Sequence, residues 1–246
     1  MLNDLPELNF GQSAIFLDFD GTLVDLQSTP DAVIVGDVLK KMLFQLDQRT
    51  HQSLAIISGR SIASLDQLLA IANLRLGGSH GMEYRLSSGA STTIHPDVVP
   101  IPEQLVKQCQ SFCQKHQLLW ESKPLSAAIH YRDNPKLEAD IDDYLTHLIC
   151  HDPNLEIQRG KFIRELKPKG ISKASALEIF MAKPPFYSKI PWYFGDDITD
   201  EDAFSWINQH GGVSVKIGDG ETLANYHLPT PQHVLNYFLS NLHSEE

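Results

Sequence analysis

The sequence predicts an α/β protein whose doubly wound, Rossmann-like parallel-sheet core is interrupted by a smaller α+β unit. Three observations lead there. Short apolar strand-like runs alternate with helix-period segments in both terminal thirds of the chain, the signature of a parallel sheet with right-handed crossovers. Several of those runs end abruptly in small, acidic or basic residues, as in Ala14-Ile15-Phe16-Leu17-Asp18 and Trp192-Tyr193-Phe194-Gly195-Asp196. Between residues 99 and 166 the texture changes to helix, two strands, helix, two strands, entered through Pro96, Pro100 and Pro102. The expected division is 1–98 with 167–246 for the core and 99–166 for the inserted α+β cap domain.

Each element has its own warrant. Residues 14–17 form an apolar run of strand-forming type. Asp37 to Gln48 places Val38, Leu39, Met42, Leu43 and Leu46 at helical period, and Ser61 to Ala72 does the same with Ile62, Leu65, Leu68 and Leu69. Between them lies the short strand Ser53 to Ile57. Leu74 to Gly81 reads as a third strand running into glycines, and Ser87 to Thr93 as a hairpin tip or connector. In the insert, Gln104 to His116 and Lys136 to Cys150 are helical, 118–123 with 127–132 are antiparallel strands, and 155–158 and 162–166 are two further short strands. The parallel texture then resumes. Helix Ile171 to Met181, strand Pro191 to Phe194, helix Thr199 to Asn208 with Thr199 as N-cap, strand Gly212 to Ile217 and helix Pro231 to Leu242 complete the chain.

Composition narrows the function classes. A hydrophobic content of 42% over 246 residues supports a sizeable core, and no stretch approaches the length of a membrane span. The formal charge of −11 argues against a nucleic-acid partner, since such domains are usually basic. It leaves room for a small anionic substrate at a locally positive site. Cys109, Cys113 and Cys150 match no metal-ligand spacing; Cys109 and Cys113, four apart on a helix, read as two buried thiols. An odd cysteine count and an N-terminus with no basic, apolar leader give the expectation of a cytoplasmic protein.

Four segments carry residues suited to chemistry. Asp18 and Asp20 lie on one side of an extended chain, and carboxylates that close call for a cation or for an acid and nucleophile pair; an Asx-type turn is the plainer reading. Ser58-Gly59-Arg60 and Gly195-Asp196-Asp197-Ile198-Thr199-Asp200 likewise follow strand ends, which in an open α/β sheet share one crevice. Lys173 sits near the head of a helix that could border it, with Lys169 as a rival in a turn. Hard oxygen donors suit Mg²⁺, while a hydroxyl and an ammonium suit a phosphate. The charges of Asp200, Glu201 and Asp202 also read as ordinary helix-start charge.

Taken together, Asp18-Phe19-Asp20-Gly21-Thr22-Leu23, Ser58-Gly59-Arg60, Gly170-Ile171-Ser172-Lys173 and Gly195 to Glu201 resemble the motifs of the haloacid dehalogenase superfamily of phosphatases. Ala174 departs from the glycine that often follows the lysine there. Trp120-Glu121-Ser122-Lys123, His130-Tyr131-Arg132, Arg164-Glu165-Leu166-Lys167-Pro168, Gly78 to Glu83 and Gly212 to Gly218 are similar to the trehalose-6-phosphate phosphatase family within it, a likeness running from about Phe16 to about Pro231. The resemblance implies hydrolysis of trehalose 6-phosphate through an aspartyl-phosphate, with Asp18 as nucleophile and Asp20 as general acid and base. It implies that Ser58 and Lys173 hold the phosphoryl group, with Gly59 and Arg60 beside them. It further implies Mg²⁺ on Asp18, Asp196 and the Asp20 main chain, with Asp197 or Asp200 either a further ligand or held just behind the ligands, and sugar contacts from Glu121, Lys123, Glu165 and Arg132. From spacing alone, Glu121, Lys123 and Arg132 read instead as a solvated sheet face with cross-strand ion pairs. Sucrose phosphate, a mannosyl-phosphoglycerate and a non-catalytic sugar-phosphate sensor are the competing readings. A trehalose-phosphate synthase would be the metabolic neighbour.

Overall fold

The computed structural model describes residues 5–27, 29, 32–71, 74–87, 89–160 and 162–243. The chain divides into two compact units, Met1–His95 with Ser172–Glu246, and Pro96–Ile171. In order, the larger unit contributes β1 (Ser13–Leu17), α1 (Asp37–Arg49), β2 (Leu54–Ile57), α2 (Ile62–Leu69), β3 (Arg75–Gly78), β4 (Glu83–Arg85) and β5 (Thr93–Ile94). The smaller contributes α3 (Glu103–His116), β6 (Leu119–Ser122), β7 (Ala127–His130), α4 (Glu138–Leu148), β8 (Leu155–Gly160) and β9 (Ile163–Pro168). The larger resumes with α5 (Lys173–Met181), β10 (Ile190–Gly195), α6 (Glu201–Gln209), β11 (Val213–Ile217), β12 (Tyr226–Leu228) and α7 (Pro231–His243).

The large sheet runs β12-β11-β10-β1-β2-β3-β4-β5, parallel from β12 to β3 and closed by the antiparallel β4 and β5. The order reverses between β1 and β10, where Leu17 pairs with both Phe194 and Ile56. That reversal opens a crevice at the carboxyl ends of the central strands. Burial on both faces explains the unbroken apolar runs. Ile15 and Leu17 of β1 join Trp192 and Phe194 of β10 in one layer with α1, α2 and α7. Ala14, Phe16 and Tyr193 point the other way, into the layer of α5 and α6.

The smaller unit is an antiparallel sheet ordered β6-β7-β9-β8. On one face Ile129 and Leu166 pack with Cys109, Cys113, Ile141 and Leu145 of α3 and α4. Burial pushes the Cys109 thiol up to about 12 and Cys113 to about 11, so both stay protonated. Arg164 anchors α4, donating to Asp142 at 2.7 Å and pairing with Glu138 at 2.5 Å. Alternation turns Glu121, Ala128, Glu165 and Gln158, which are aligned across the four strands, to the opposite face.

Several boundaries differ from those read in the sequence. The smaller unit includes residues 167–171: β9 carries its ladder through Pro168, and Lys167 donates to the Ile171 carbonyl and pairs with Glu156 at 2.8 Å. Helix α2 ends at Leu69, with Ala70 left-handed after it; Ala72 lies outside the described residues. Segment 87–93 joins the antiparallel β4 and β5, with residue 88 outside the described residues. Thr199 is not an N-cap. Ile198–Asp200 is a 3-10 turn, because the Asp200 carboxylate folds back to accept the Asp196 and Asp197 amides, and α6 begins at Glu201. Strand β12 had no signal beyond three residues at an edge.

Phe180, fully buried, meets Phe186 edge-on at 5.1 Å and Phe16 at 6.0 Å. Phe180→Ala is expected to lower unfolding free energy by about 3–5 kcal/mol in urea titrations, because an aromatic cluster of this kind refills poorly.

Candidate functional site

At the carboxyl ends of β1 and β10 three carboxylates converge. Asp18, Asp196 and Asp200 each offer an oxygen, all within 4.8 Å of one another. Asp18 leaves β1 with its amide donating to the Phe194 carbonyl at 2.9 Å, which locks it beside β10. Gly21 lets the chain turn over the cluster: its φ is +83°, and a Cβ there would stand 2.1 Å from an Asp196 oxygen. Gly195, the last residue of β10, leaves room for a different acid: a Cβ there would lie 2.4 Å from the Asp200 carboxyl carbon.

Lys173, at the first position of α5 and only 3% exposed, donates to Asp18 at 2.6 Å and to Asp200 at 2.7 Å. Burial, the largest influence on its ammonium, pulls its pKa down, but the two carboxylates together hold it above the usual lysine range. Burial likewise pushes the Asp18 carboxyl well above its ordinary value against the pull of Lys173, with Asp200 and Asp196 adding to the rise. Asp196 is pushed up to about 6, first by burial and then by the charge of Asp200, and it shares a hydrogen bond with Asp18. Two carboxylates this close share a proton or a cation.

Asp200 is a different kind of residue. One oxygen accepts from Lys173 and from the Tyr193 hydroxyl at 2.5 Å; the other accepts the Asp196 and Asp197 amides at 3.0 Å each. With four donors on its two oxygens and no exposure, Asp200 braces the cluster while remaining one of the three carboxylates whose oxygens converge. Asp197 is exposed and stands outside the carboxylate cluster. Asp18 and Asp196, with Asp200 beside them, form a crowded carboxylate group whose chemistry fits a hard divalent cation.

Asp20 faces elsewhere. Both of its oxygens are held by Arg60, at 2.6 Å from Nε and 2.7 Å from Nη2, and the guanidinium also lies over the Phe19 ring. Ser58 follows β2, almost wholly buried, and its hydroxyl accepts the Arg60 amide at 3.1 Å. Gly59 lies against the His80 ring. Arg60 is thus engaged with Asp20 instead of pointing a free guanidinium at an anion.

In the smaller unit the expected sugar residues form pairs. Lys123 donates to Glu165 at 2.8 Å while Ser126 donates to the other Glu165 oxygen. Glu121 and His130 meet at 2.8 Å, and that hydrogen bond is the main cause holding the Glu121 carboxyl below its ordinary value. Arg132 is exposed and lies over the Phe162 ring. Tyr193 and Ser126 were given no part in the sequence reading of the site, and His130 and Lys216 entered it only within motifs, with no role assigned. Of these, the signal was a polar aromatic or a basic residue inside an otherwise apolar strand for Tyr193 and Lys216. Lys216 donates to the Asp196 carbonyl.

Comparison with known proteins agrees with this architecture. A family model described as trehalose-phosphatase matches residues 16–232. A trehalose-6-phosphate phosphatase of Escherichia coli K12 is 35% identical over 234 residues, covering 92% of this chain and 85% of that protein. A probable trehalose-phosphate phosphatase of Sinorhizobium fredii is 35% identical over 210 residues, covering 83% and 77%. Among solved structures, the C-terminal domain of a Candida albicans trehalose-6-phosphate phosphatase superposes with a TM-score of 0.84 at 22% identity, covering 95% of this chain and 94% of that one. A haloacid dehalogenase-like hydrolase of Bacillus subtilis superposes at 0.66 with 14% identity, covering 92% and 99%. These two share the fold.

Replacing Lys173 with Met strands two buried carboxylates, and the expected loss is about 3–5 kcal/mol in chemical unfolding. Asp196→Asn relieves repulsion and is expected to leave unfolding free energy within about 1 kcal/mol of the parent or to raise it.

Proposed function

Because the chain belongs to the trehalose-phosphatase family and is a phosphatase, we propose that it hydrolyses trehalose 6-phosphate to trehalose and inorganic phosphate, with Mg²⁺ as cofactor. The observation that carries the mechanism is the Lys173-braced cluster, which presents Asp18 and Asp196 side by side at the sheet's point of reversal. Asp18 and Asp196 would hold Mg²⁺, whose positive charge would let an anionic nucleophile approach a phosphate dianion.

Asp18 attacks phosphorus in line; a new O–P bond forms and the bond from phosphorus to the sugar oxygen breaks. Asp20 in its protonated form gives its proton to the departing oxygen. The resulting acyl phosphate is cleaved by water, whose proton returns to Asp20 as the bond from phosphorus to Asp18 breaks, releasing phosphate. Lys173 sits on the nucleophile's carboxylate, where its ammonium offsets charge gathering on the phosphoryl oxygens, and the Ser58 hydroxyl is assigned to one of those oxygens. Both Asp20 oxygens start out held by the Arg60 guanidinium, so turning Asp20 toward the departing oxygen requires that clamp to loosen. Glu121, Lys123, Glu165 and Arg132 are assigned to the sugar, where groups built for hydroxyls reject leaving groups that lack them.

Phosphate release measured across trehalose 6-phosphate, sucrose phosphate, a mannosyl-phosphoglycerate and glucose 6-phosphate tests the assignment. The expected result is the highest kcat/KM on trehalose 6-phosphate, abolished by chelator and by Asp18→Asn, and lowered about 10²–10⁴-fold in Asp20→Asn. A better substrate elsewhere in the panel overturns the substrate; binding without turnover in the parent protein makes the chain a sensor.

The cation has a pH signature. Asp196 has an ordinary value of 3.8 and a folded value of about 6, so its protonation stabilises the fold fully below the former and is lost as pH rises through the latter. A cation must displace that proton below about 6. The Mg²⁺-induced rise in Tm is therefore expected to be large at about pH 7.5 and small at about pH 5 in thermal scans.

A further inference from the structure

We propose that His130 is a positioning residue: from β7 it orients the Glu121 carboxylate on β6 as an acceptor for a hydroxyl of the leaving sugar. The inference rests on the reading that Glu121 contacts the sugar, and it adds a residue and a role to that reading.

Strand β6 is the edge of the smaller sheet, so Glu121 has neighbours on one side only. Its side chain is 40% exposed, and a glutamate in that setting samples many rotamers unless something fixes it. The fixing contact is His130. Leu119 pairs with His130 and Glu121 with Ala128, which makes Glu121 and His130 diagonal neighbours on one face. The 2.8 Å contact joins the imidazole Nε2 to Oε2 of Glu121. With Nε2 donating, one carboxylate oxygen is occupied and the plane of the group is set. No hydrogen bond to Oε1 is present among the described residues, so that oxygen is the one left to accept.

The contrast with Glu165 sharpens the choice. Glu165 is 4% exposed and has both oxygens engaged, one by Lys123 and one by Ser126. Its geometry is held twice over. Glu121 is held once, by His130, and keeps acceptor capacity. An ionised carboxylate accepts and cannot donate, so the pair reads a hydroxyl proton, the feature that a polyol leaving group has and an aryl one lacks. A purely structural role for His130, stitching β6 to β7, is already served by their four-residue backbone pairing, Leu119 to Ser122 against Ala127 to His130.

The test compares the full-length protein with His130→Ala and His130→Gln on trehalose 6-phosphate and on p-nitrophenyl phosphate. His130→Ala is expected to raise KM for trehalose 6-phosphate about ten- to a hundredfold with a smaller change in kcat, collapsing discrimination between the two substrates by the same factor. His130→Gln, whose side-chain amide can donate to the same oxygen, is expected to recover most of that loss. On a Glu121→Ala background the His130 change is expected to add little. An unchanged KM in His130→Ala, equal losses on both substrates, no recovery with Gln, or full additivity with Glu121→Ala each overturns the proposal. A parent protein inert on trehalose 6-phosphate but active on another sugar phosphate overturns the substrate reading instead, and the same variants on that substrate then decide the role of His130.

Discussion

The larger unit depends on one buried ammonium. Lys173 reaches from the start of α5 to Asp18 at the end of β1 and to Asp200 beyond β10, so three segments remote in sequence are held by a single charge. Asp200 in turn grips the amides of Asp196 and Asp197, which makes the placement of Asp196 indirectly a property of Lys173. The charges do not cancel. One ammonium contacts a group of three carboxylates; burial first, and then the charge of the neighbouring acids, raises the pKa values of Asp18 and Asp196. A divalent ion is the natural complement of such a deficit, and burial strengthens the demand because little water reaches the cluster to screen it.

Two aspartates separated by one residue have come to differ in almost every physical respect. Asp18 is buried, bound to an ammonium and crowded by other acids; the Asp20 side chain is 30% exposed and clasped by a guanidinium. Divergent surroundings are how neighbouring carboxyl groups acquire separate tasks. The division originates in local geometry. Gly21 bends the chain at a positive φ, so Phe19 joins the apolar layer while the acids on either side of it meet different partners.

Much of this was legible in the sequence, and the reasons differ from place to place. The runs 14–17, 54–57 and 191–194 were readable because strands buried on both faces must be apolar throughout. The convergence of Asp18 and Asp196 was readable because strand ends in an open α/β sheet share one crevice, although Asp18 and Asp20 by themselves also fitted an Asx-type turn. Asp200 was not separable from its neighbours, since its four donors come from Lys173, Tyr193 and two backbone amides, and no spacing encodes saturation. Thr199 misled because a hydroxyl before an acidic run has the chemistry of a cap, yet the capping was taken by a carboxylate folding backward. The contact of His130 with Glu121 escaped because the two lie diagonally across a strand pair, a relation fixed by register alone. The pairing of Arg60 with Asp20 was missed for a related cause: a side chain after β2 meets one after β1 only once the sheet exists.

The strand order also governs how the chain must assemble. Strand β1 sits in the middle of the sheet, but its neighbour β10 arrives only after the whole smaller unit has been made. Until then β1 is an edge strand, apolar on both faces, with an unsatisfied row of backbone donors and acceptors. Pairing of Leu17 with Phe194 is a contact of high sequence separation, which slows folding and prolongs that exposure. On a ribosome the N-terminal half-sheet therefore waits, sticky along one side, for its other half, and the compact Pro96–Ile171 unit is complete in sequence before that edge is covered.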